Sequence, residues 1–435
     1  MTIWQFTNLK MKVFFDTVGC RLNQAEIEQL ATEFRSAGHT IAESAVEADL
    51  VVINSCSVTA AAASDSRQKV RQAEHAGCRE IIFTGCLATL EPDESRALPG
   101  IREVVPNAQK MNIAHVFAGV PELYELEPLA RIPLPGLRKR TRAFIKVQDG
   151  CDNLCSFYVT RIARGKGVGM ARERVLRDVT AAVDGGTREV VLSGVHLGSW
   201  GRDLGGGESL LDLVEYLLKN SPIERVRLSS TEPWDLDERF FELWQDGRMC
   251  RHLHLPLQSG SASVLKRMIR RTNPEAYRHL VDKAREMIPG VAITTDIITG
   301  FPGETEDEFI ESLEFVKEMN FAGGHVFRYS PREGTAAAKI PGRVNGKVAI
   351  ERSRLMREAI RRSQAAFLEA QIGAEHEVLW ETTEEVGSDR IKIRGLTSNY
   401  LQACAVARNN RHGKIDRVQV TGVKGLELET KIIRN

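Results

Sequence analysis

The sequence predicts an α/β protein in three parts: an amino-terminal open parallel sheet, a central partial (βα)6 barrel and a small carboxy-terminal all-β barrel. Three observations carry this. Apolar strands and amphipathic helices alternate from Met11 to Cys86, the pattern of a parallel sheet. Six further strand–helix units run from Phe144 to about Pro331. Beyond Gln371 the chain changes to short strands between polar turns. The expected domains are residues 11–121, 138–370 and 371–435.

Composition sets the outer bounds. The chain has 435 residues, 42% hydrophobic and 27% charged, which argues for packed cores rather than disorder. A net charge of +1 gives no global attraction to nucleic acid, so any basic surface is local. Eight widely spaced cysteines do not form a secreted disulfide framework. No stretch is long and apolar enough for a membrane span, and Met1 to Lys10 lacks the parts of a signal peptide. The expectation is a cytoplasmic protein with no membrane partner.

In the first part, strand Lys12-Val13-Phe14-Phe15 leads to Cys20. Asn23 is expected to cap the following helix, whose apolar face is Ala25, Ile27, Leu30, Ala31 and Phe34. Strand 50–53 leads to Cys56, a helix runs through Arg67 to Glu74, and strand 81–84 leads to Cys86. Each of these cysteines lies just past the carboxyl end of a different strand, the edge where open α/β sheets bind ligands. Three thiolates with a vacant fourth position suit an iron–sulfur cluster. Cys78 lacks this placement and reads as structural. The proline-rich stretch 121–135 reads as a linker, and Arg138, Lys139, Arg140 and Arg142 form a basic run suited to phosphate.

In the second part, strands are expected at 144–147, 189–193, 225–229, 252–257, 292–298 and 324–329. Cys151 and Cys155 follow the first of them, and two cysteines so spaced suggest metal. The later strands end in polar or glycine-rich turns: Ser193-Gly194, Ser229 to Glu232, Gln258-Ser259-Gly260, Thr295-Asp296 and Arg328-Tyr329-Ser330. Glycine lets backbone approach a ligand, and hydroxyls and carboxylates can hold ribose or amino-acid groups. His196 and His325 read as core or turn residues. Residues 351–371 read as a long helix. In the terminal barrel, Arg408 to Lys414 is a basic loop of the kind that holds oligonucleotides.

These motifs resemble the radical S-adenosylmethionine methylthiotransferases. The resemblance rests on Cys20, Cys56 and Cys86 in their local contexts and on Val147 to Cys155. It also rests on Ile162 to Gly165, His254 to Gly260, Asp296 to Glu304 and a terminal barrel similar to the TRAM domain. Gly19-Cys20-Arg21-Leu22-Asn23-Gln24 is most similar to the branch acting on threonylcarbamoyladenosine in tRNA.

The resemblance implies two 4Fe–4S clusters, ligated by Cys20, Cys56 and Cys86 and by the loop of Cys151 and Cys155. It implies S-adenosylmethionine held by the second cluster and by Tyr158, Ser193, Gly194, Ser229, Glu232, Gln258, Thr295 and Asp296. The implied reaction abstracts hydrogen from C2 of the adenine and installs sulfur and a methyl group. The implied partners are the anticodon stem-loop, a flavodoxin- or ferredoxin-like electron donor and a sulfur source. Two features depart from the family. Its third loop cysteine falls on Tyr158, and Val168-Gly169-Met170 replaces a polar, arginine-bearing segment. The alternatives are a catalytically impaired tRNA-binding homologue, or a methylthiotransferase for isopentenyladenosine or a ribosomal protein.

Overall fold

A computed structural model describes residues 10–118, 141–385 and 390–433. The stretch 121–135 and the run Arg138 to Arg140 lie outside the described residues.

The first sheet has five parallel strands, in the order Thr40–Ile41, Lys12–Thr17, Leu50–Ser55, Ile81–Gly85, Ile101–Val105. Two of them were not expected from sequence. Thr40–Ile41 is two residues long, and Ile101–Val105 carries Arg102 and Glu103. The central strands are apolar on both faces because helices cover both. Alternation decides the partners. Leu50 and Val52 pack with Ile27, Leu30 and Phe34 of helix Arg21–Ser36, while Val51 and Ile53 pack with Ala63 and Val70 of helix Ala60–His75.

Asn23 corrects one expectation. The helix begins at Arg21, with Cys20 in the capping position, so Asn23 lies within it. Its amide donates instead to Val18 O at 2.8 Å and Ser55 O at 3.0 Å. It thereby ties the Cys20 turn to the end of the neighbouring strand.

The six central strands form two parallel three-stranded sheets: Arg142–Lys146, Glu189–Ser193 and Arg225–Leu228, then His252–His254, Ala292–Thr299 and Gly323–Arg328. Parallel bridges Val226↔Met249 and Ser230↔His254 join the sheets into one curved wall. No pairing among the described residues joins the first strand to the last, so the barrel is partial. The wall packs against helices such as Leu210–Asn220, whose Leu213, Val214 and Leu217 are fully buried. A reciprocal Ser209–Asp212 box fixes where that helix starts. The long helix Gly346–Glu369 begins five residues earlier than expected, at an Asn345 cap.

The last five strands, from Glu375–Glu385 to Glu427–Ile432, form a closed barrel. Closure removes the exposed edges of a small sheet. Gly395 permits it: a Cβ there would lie 2.2 Å from Leu379 O, beside the bulge between Trp380 and Thr382.

The turn Thr397–Leu401 of this barrel enters the amino-terminal end of the curved wall. Fully buried Arg227 holds Glu189 at 2.6 Å and donates to Thr397 O at 3.2 Å and Ser398 O at 3.0 Å. Tyr400 stacks on His252 at 4.3 Å and lies under the Arg227 and Arg21 guanidinium groups, at 5.1 and 5.0 Å. Its backbone takes a positive φ of 68°, unusual for a tyrosine, to aim the ring inward. All three parts of the chain therefore meet at one residue. Among the described residues no helix is long and apolar enough to cross a membrane.

Candidate active site

Two sets of cysteines face each other across the junction of the first two parts. Cys20, Cys56 and Cys86 stand at the carboxyl ends of adjacent strands, as Val13↔Leu50 and Val51↔Ile81 pairing requires. Gly19 is needed for that closeness, because a Cβ there would sit 2.6 Å from Cys56 Sγ. Cys20 is solvent-accessible although protein surrounds it, as a thiol lining a recess should be. Burial pushes the Cys56 thiol up to about 11 and raises the Cys20 thiol, so binding iron as thiolates releases protons.

Beside this set lies a buried charge network that no sequence motif announces. Glu26 accepts from Lys110 at 2.6 Å, from Lys146 at 3.0 Å and from Arg164 at 2.8 and 3.2 Å. Asp149 binds Lys146 at 2.6 Å and Arg164 at 2.9 Å. Burial alone would raise the Glu26 carboxyl; Arg164, Lys110 and Lys146 override it and hold it well below the usual range. Three cations against two carboxylates leave one positive charge in excess. Arg164 also bears on Cys20 and Cys86, so the excess charge favours an anionic thiolate site.

Helix Thr160–Arg164 carries this network across to the second set. Arg164 donates to Asn23 Oδ1 at 2.7 Å, and Asn107 Nδ2 donates to Ala163 O at 2.9 Å and to Cys86 Sγ at 3.7 Å. The loop before that helix holds Cys151 and Cys155. Gly150 starts it at φ 67°, where any Cβ would collide with Lys166 O at 1.8 Å. In place of the family's polar segment, Val168–Gly169 pairs with Gln148–Asp149 and closes the loop's base.

Each loop thiol faces a buried cation. Arg270 reaches Cys155 Sγ at 3.8 Å while holding Glu232 at 2.6 and 3.1 Å and lying 4.4 Å from the Trp234 ring. His196 holds Asp235 at 2.5 Å; burial alone would lower its pKa, but Asp235 and the nearby Cys151 raise it to about 9. His196 is thus a buried, hydrogen-bonded turn histidine, as its sequence context implies, and it lies beside the loop. Neither Arg270 nor Asp235 carried a sequence signal. His325 lies on strand Gly323–Arg328, tilted against Phe327 at 6.2 Å.

The other expected residues divide by how their polar atoms are used. Ser229 Oγ and Asp296 Oδ1 are buried without a partner, as is Thr231 Oγ1. Such orphaned atoms, past the third wall strand and within the fifth, fit a polar cofactor. Asp296 Oδ2 lies 3.3 Å from His254. Gln258 has φ 75° and donates its backbone N–H to Asp296 O, which aims its side chain away from a regular strand. Gly194 packs on Gln148, where a Cβ would lie 2.9 Å from Oε1. Ser193 donates to Val191 O at 3.3 Å. Thr295 donates to Leu255 O at 2.8 Å and accepts from Leu257 N at 3.1 Å. Both hydroxyls donate to the wall itself, which leaves each with acceptor capacity only.

The family described as Uncharacterized protein family UPF0004 matches residues 12–105, and the Radical SAM superfamily matches residues 145–316. The threonylcarbamoyladenosine tRNA methylthiotransferase MtaB of Bacillus subtilis (strain 168) is 34% identical over 423 residues, covering 94% of this chain and 93% of that one. Its counterpart from Thermotoga maritima is 35% identical over 377 residues, covering 85% and 86%. The chain belongs to the radical S-adenosylmethionine methylthiotransferases. Within them it falls in the threonylcarbamoyladenosine branch, as the residues around Cys20 had implied. Among solved structures, the radical S-adenosylmethionine methyltransferase TsrM of Kitasatospora setae shares the fold with TM-score 0.55 at 14% identity, covering 76% of this chain and 77% of that one.

A methylthiotransferase uses 4Fe–4S clusters and S-adenosylmethionine. Among the described residues no three His, Cys, Asp or Glu side chains crowd round a single-ion position. A cluster asks for a different arrangement, since each thiolate takes its own iron. Cys20, Cys56 and Cys86 fit that demand: three thiols, one recess, one excess positive charge. The second loop fits at two positions, Cys151 and Cys155. At the third stands Tyr158, a hard phenol oxygen in place of a thiol, and burial raises it above its ordinary pKa. Cys151 and Cys20 both bear on that phenol, so Tyr158 lies between the two sets.

Proposed function

We propose that this chain adds a methylthio group to C2 of the adenine in N6-threonylcarbamoyladenosine-37, next to the anticodon of tRNA, in the cytoplasm. The observation that carries the reading is the joining of the two cysteine sets through Ala163 and Arg164, which puts a sulfur-bearing site next to a cofactor-binding one. Bound clusters and S-adenosylmethionine supply hydrogen abstraction from an aromatic C–H bond, which side-chain acids and bases cannot achieve.

The protein's residues do the rest. Cys20, Cys56 and Cys86 hold sulfur chemistry in one recess. Cys151 and Cys155 present the cofactor, each braced by a buried cation. Ser229, Thr231 and Asp296 offer unpaired polar atoms to it. The target base leaves its stack to reach this recess, as enzymes acting on a base require. A flavodoxin- or ferredoxin-like donor supplies the electron, and a sulfur source restores the first site.

Mass spectrometry of digested tRNA tests this. A strain lacking the endogenous enzyme should regain the 2-methylthio product when this chain is expressed, and lose it with Cys56→Ala. Methylthiolated isopentenyladenosine or ribosomal protein in its place would reassign the substrate. One observation favours a second reading, tRNA binding without turnover: Tyr158 stands where the family's third loop cysteine falls. It predicts bound tRNA, no product, and product restored by Tyr158→Cys.

A further inference from the structure

Five arginines among the described residues have a buried guanidinium nitrogen without a hydrogen-bond partner: Arg225, Arg267, Arg270, Arg332 and Arg352. Four of them hold a carboxylate through the same guanidinium, namely Glu189, Glu308, Glu232 and Glu304. Arg332 differs. Its Nε and Nη2 are both buried and unpaired, and it holds no carboxylate among the described residues. The side chain as a whole is half-buried, but buried guanidinium nitrogens left unpaired are costly unless something anionic arrives to meet them.

The position of Arg332 says where that anion comes from. Tyr329 N donates to Thr299 O at 2.9 Å as the chain leaves the sixth strand at the rim. Thr335 then folds the turn back, donating to Arg332 O from N at 3.2 Å and from Oγ1 at 2.7 Å. Ala337 N donates to Ser156 O at 2.8 Å, within the Cys151–Cys155 loop region, and a Cβ on Gly334 would lie 3.0 Å from Ile162 Cδ1. The segment is therefore stitched along the cofactor loop and the helix behind it. The Tyr329 hydroxyl is also buried and unpaired, and the charge that bears on it is another cation, Arg343. Two cations and a free hydroxyl share one side of the rim.

Resting on the tRNA reading above, we propose that Arg332 receives an anionic group of the target nucleotide, either the carboxylate of its threonylcarbamoyl substituent or the adjoining phosphate. A guanidinium fork suits both groups, and both arrive only with the substrate.

Anticodon stem-loop RNAs with threonylcarbamoyladenosine or plain adenosine at the target position separate the two. Affinities for wild type, R332K and R332Q are measured by fluorescence anisotropy, with S-adenosylmethionine binding measured alongside. R332Q should weaken RNA binding about tenfold to a hundredfold, the size of a lost charge-assisted bond. R332K keeps the charge, guards against a folding artefact and should fall between. A loss confined to the modified RNA assigns the carboxylate. An equal loss on both RNAs, with the salt dependence reduced by about one phosphate contact, assigns the phosphate. Unchanged affinity in both variants overturns the proposal. So does loss of S-adenosylmethionine binding with RNA binding intact, which would hand the guanidinium to the cofactor. Wild type that binds neither RNA refutes the tRNA reading itself.

Discussion

The two sulfur-bearing regions are built in opposite ways. Cys20, Cys56 and Cys86 come from three strand ends separated by tens of residues, and the parallel register brings them together. Cys151, Cys155 and Tyr158 come from one loop, and local sequence alone places them. A site assembled by the sheet keeps its geometry as long as the sheet folds. A site written into one loop can lose a ligand through one substitution while everything around it stays intact. At Tyr158 the loop offers no third thiol, while Arg270 with Glu232 and His196 with Asp235 remain paired around Cys155 and Cys151.

The largest effect should come from the sheet-built site. After anaerobic reconstitution, Cys56→Ala should remove about four irons per chain, whereas Cys151→Ala should remove fewer. Equal losses would erase the contrast drawn between the two regions. Next, Tyr158→Cys should raise iron content toward two full clusters and permit cleavage of S-adenosylmethionine. An unchanged iron count would mean that the loop was complete without a third cysteine. Glu26→Gln should cost about 3–5 kcal/mol in urea unfolding, because it strands buried Lys110 and leaves Arg164 and Lys146 to share Asp149 alone. It should also loosen iron at the first site more than at the second.

The smallest effect is on pH. Burial raises the Glu33 carboxyl to about 7 and that of Asp178 to about 6, where the first two parts pack together with Gln29, Arg174 and Arg177 nearby. The folded protein keeps protons that the unfolded chain releases between about pH 4 and pH 7. Stability should therefore fall as pH rises through that window and level off above it. Glu33→Gln should flatten the slope in urea midpoints taken from pH 5 to pH 8.

The strands were legible in the sequence because burial on both faces writes long apolar runs, as at 50–53 and 81–84. The cysteines were legible because each ends such a run. What stayed hidden was long-range pairing. Glu26 meets Lys110, Lys146 and Arg164 from 84, 120 and 138 residues away, and nothing local in Ala25-Glu26-Ile27 reveals it. Asn23 misled for a related reason. Asparagine before a helix usually caps it, but here the next strand's carbonyl competes for its amide. His196 read correctly as a satisfied turn histidine, but its partner Asp235 stayed hidden because only the curved wall brings the two together.

Tyr400 has a consequence for how the molecule is made. Its hydroxyl partner, Arg21, lies 379 residues upstream, next to Cys20. At ordinary synthesis rates of about 5–20 residues per second, those residues emerge roughly 20 to 80 s apart. During that interval the base of the curved wall has no tyrosine to seal it, and Arg21 has no ring beneath it. The newborn chain thus passes through a stage in which Cys20, Cys56 and Cys86 have all emerged while Arg21 still lacks its ring. Ribosome-bound chains truncated before Tyr400 would be the species in which to look for early iron loading.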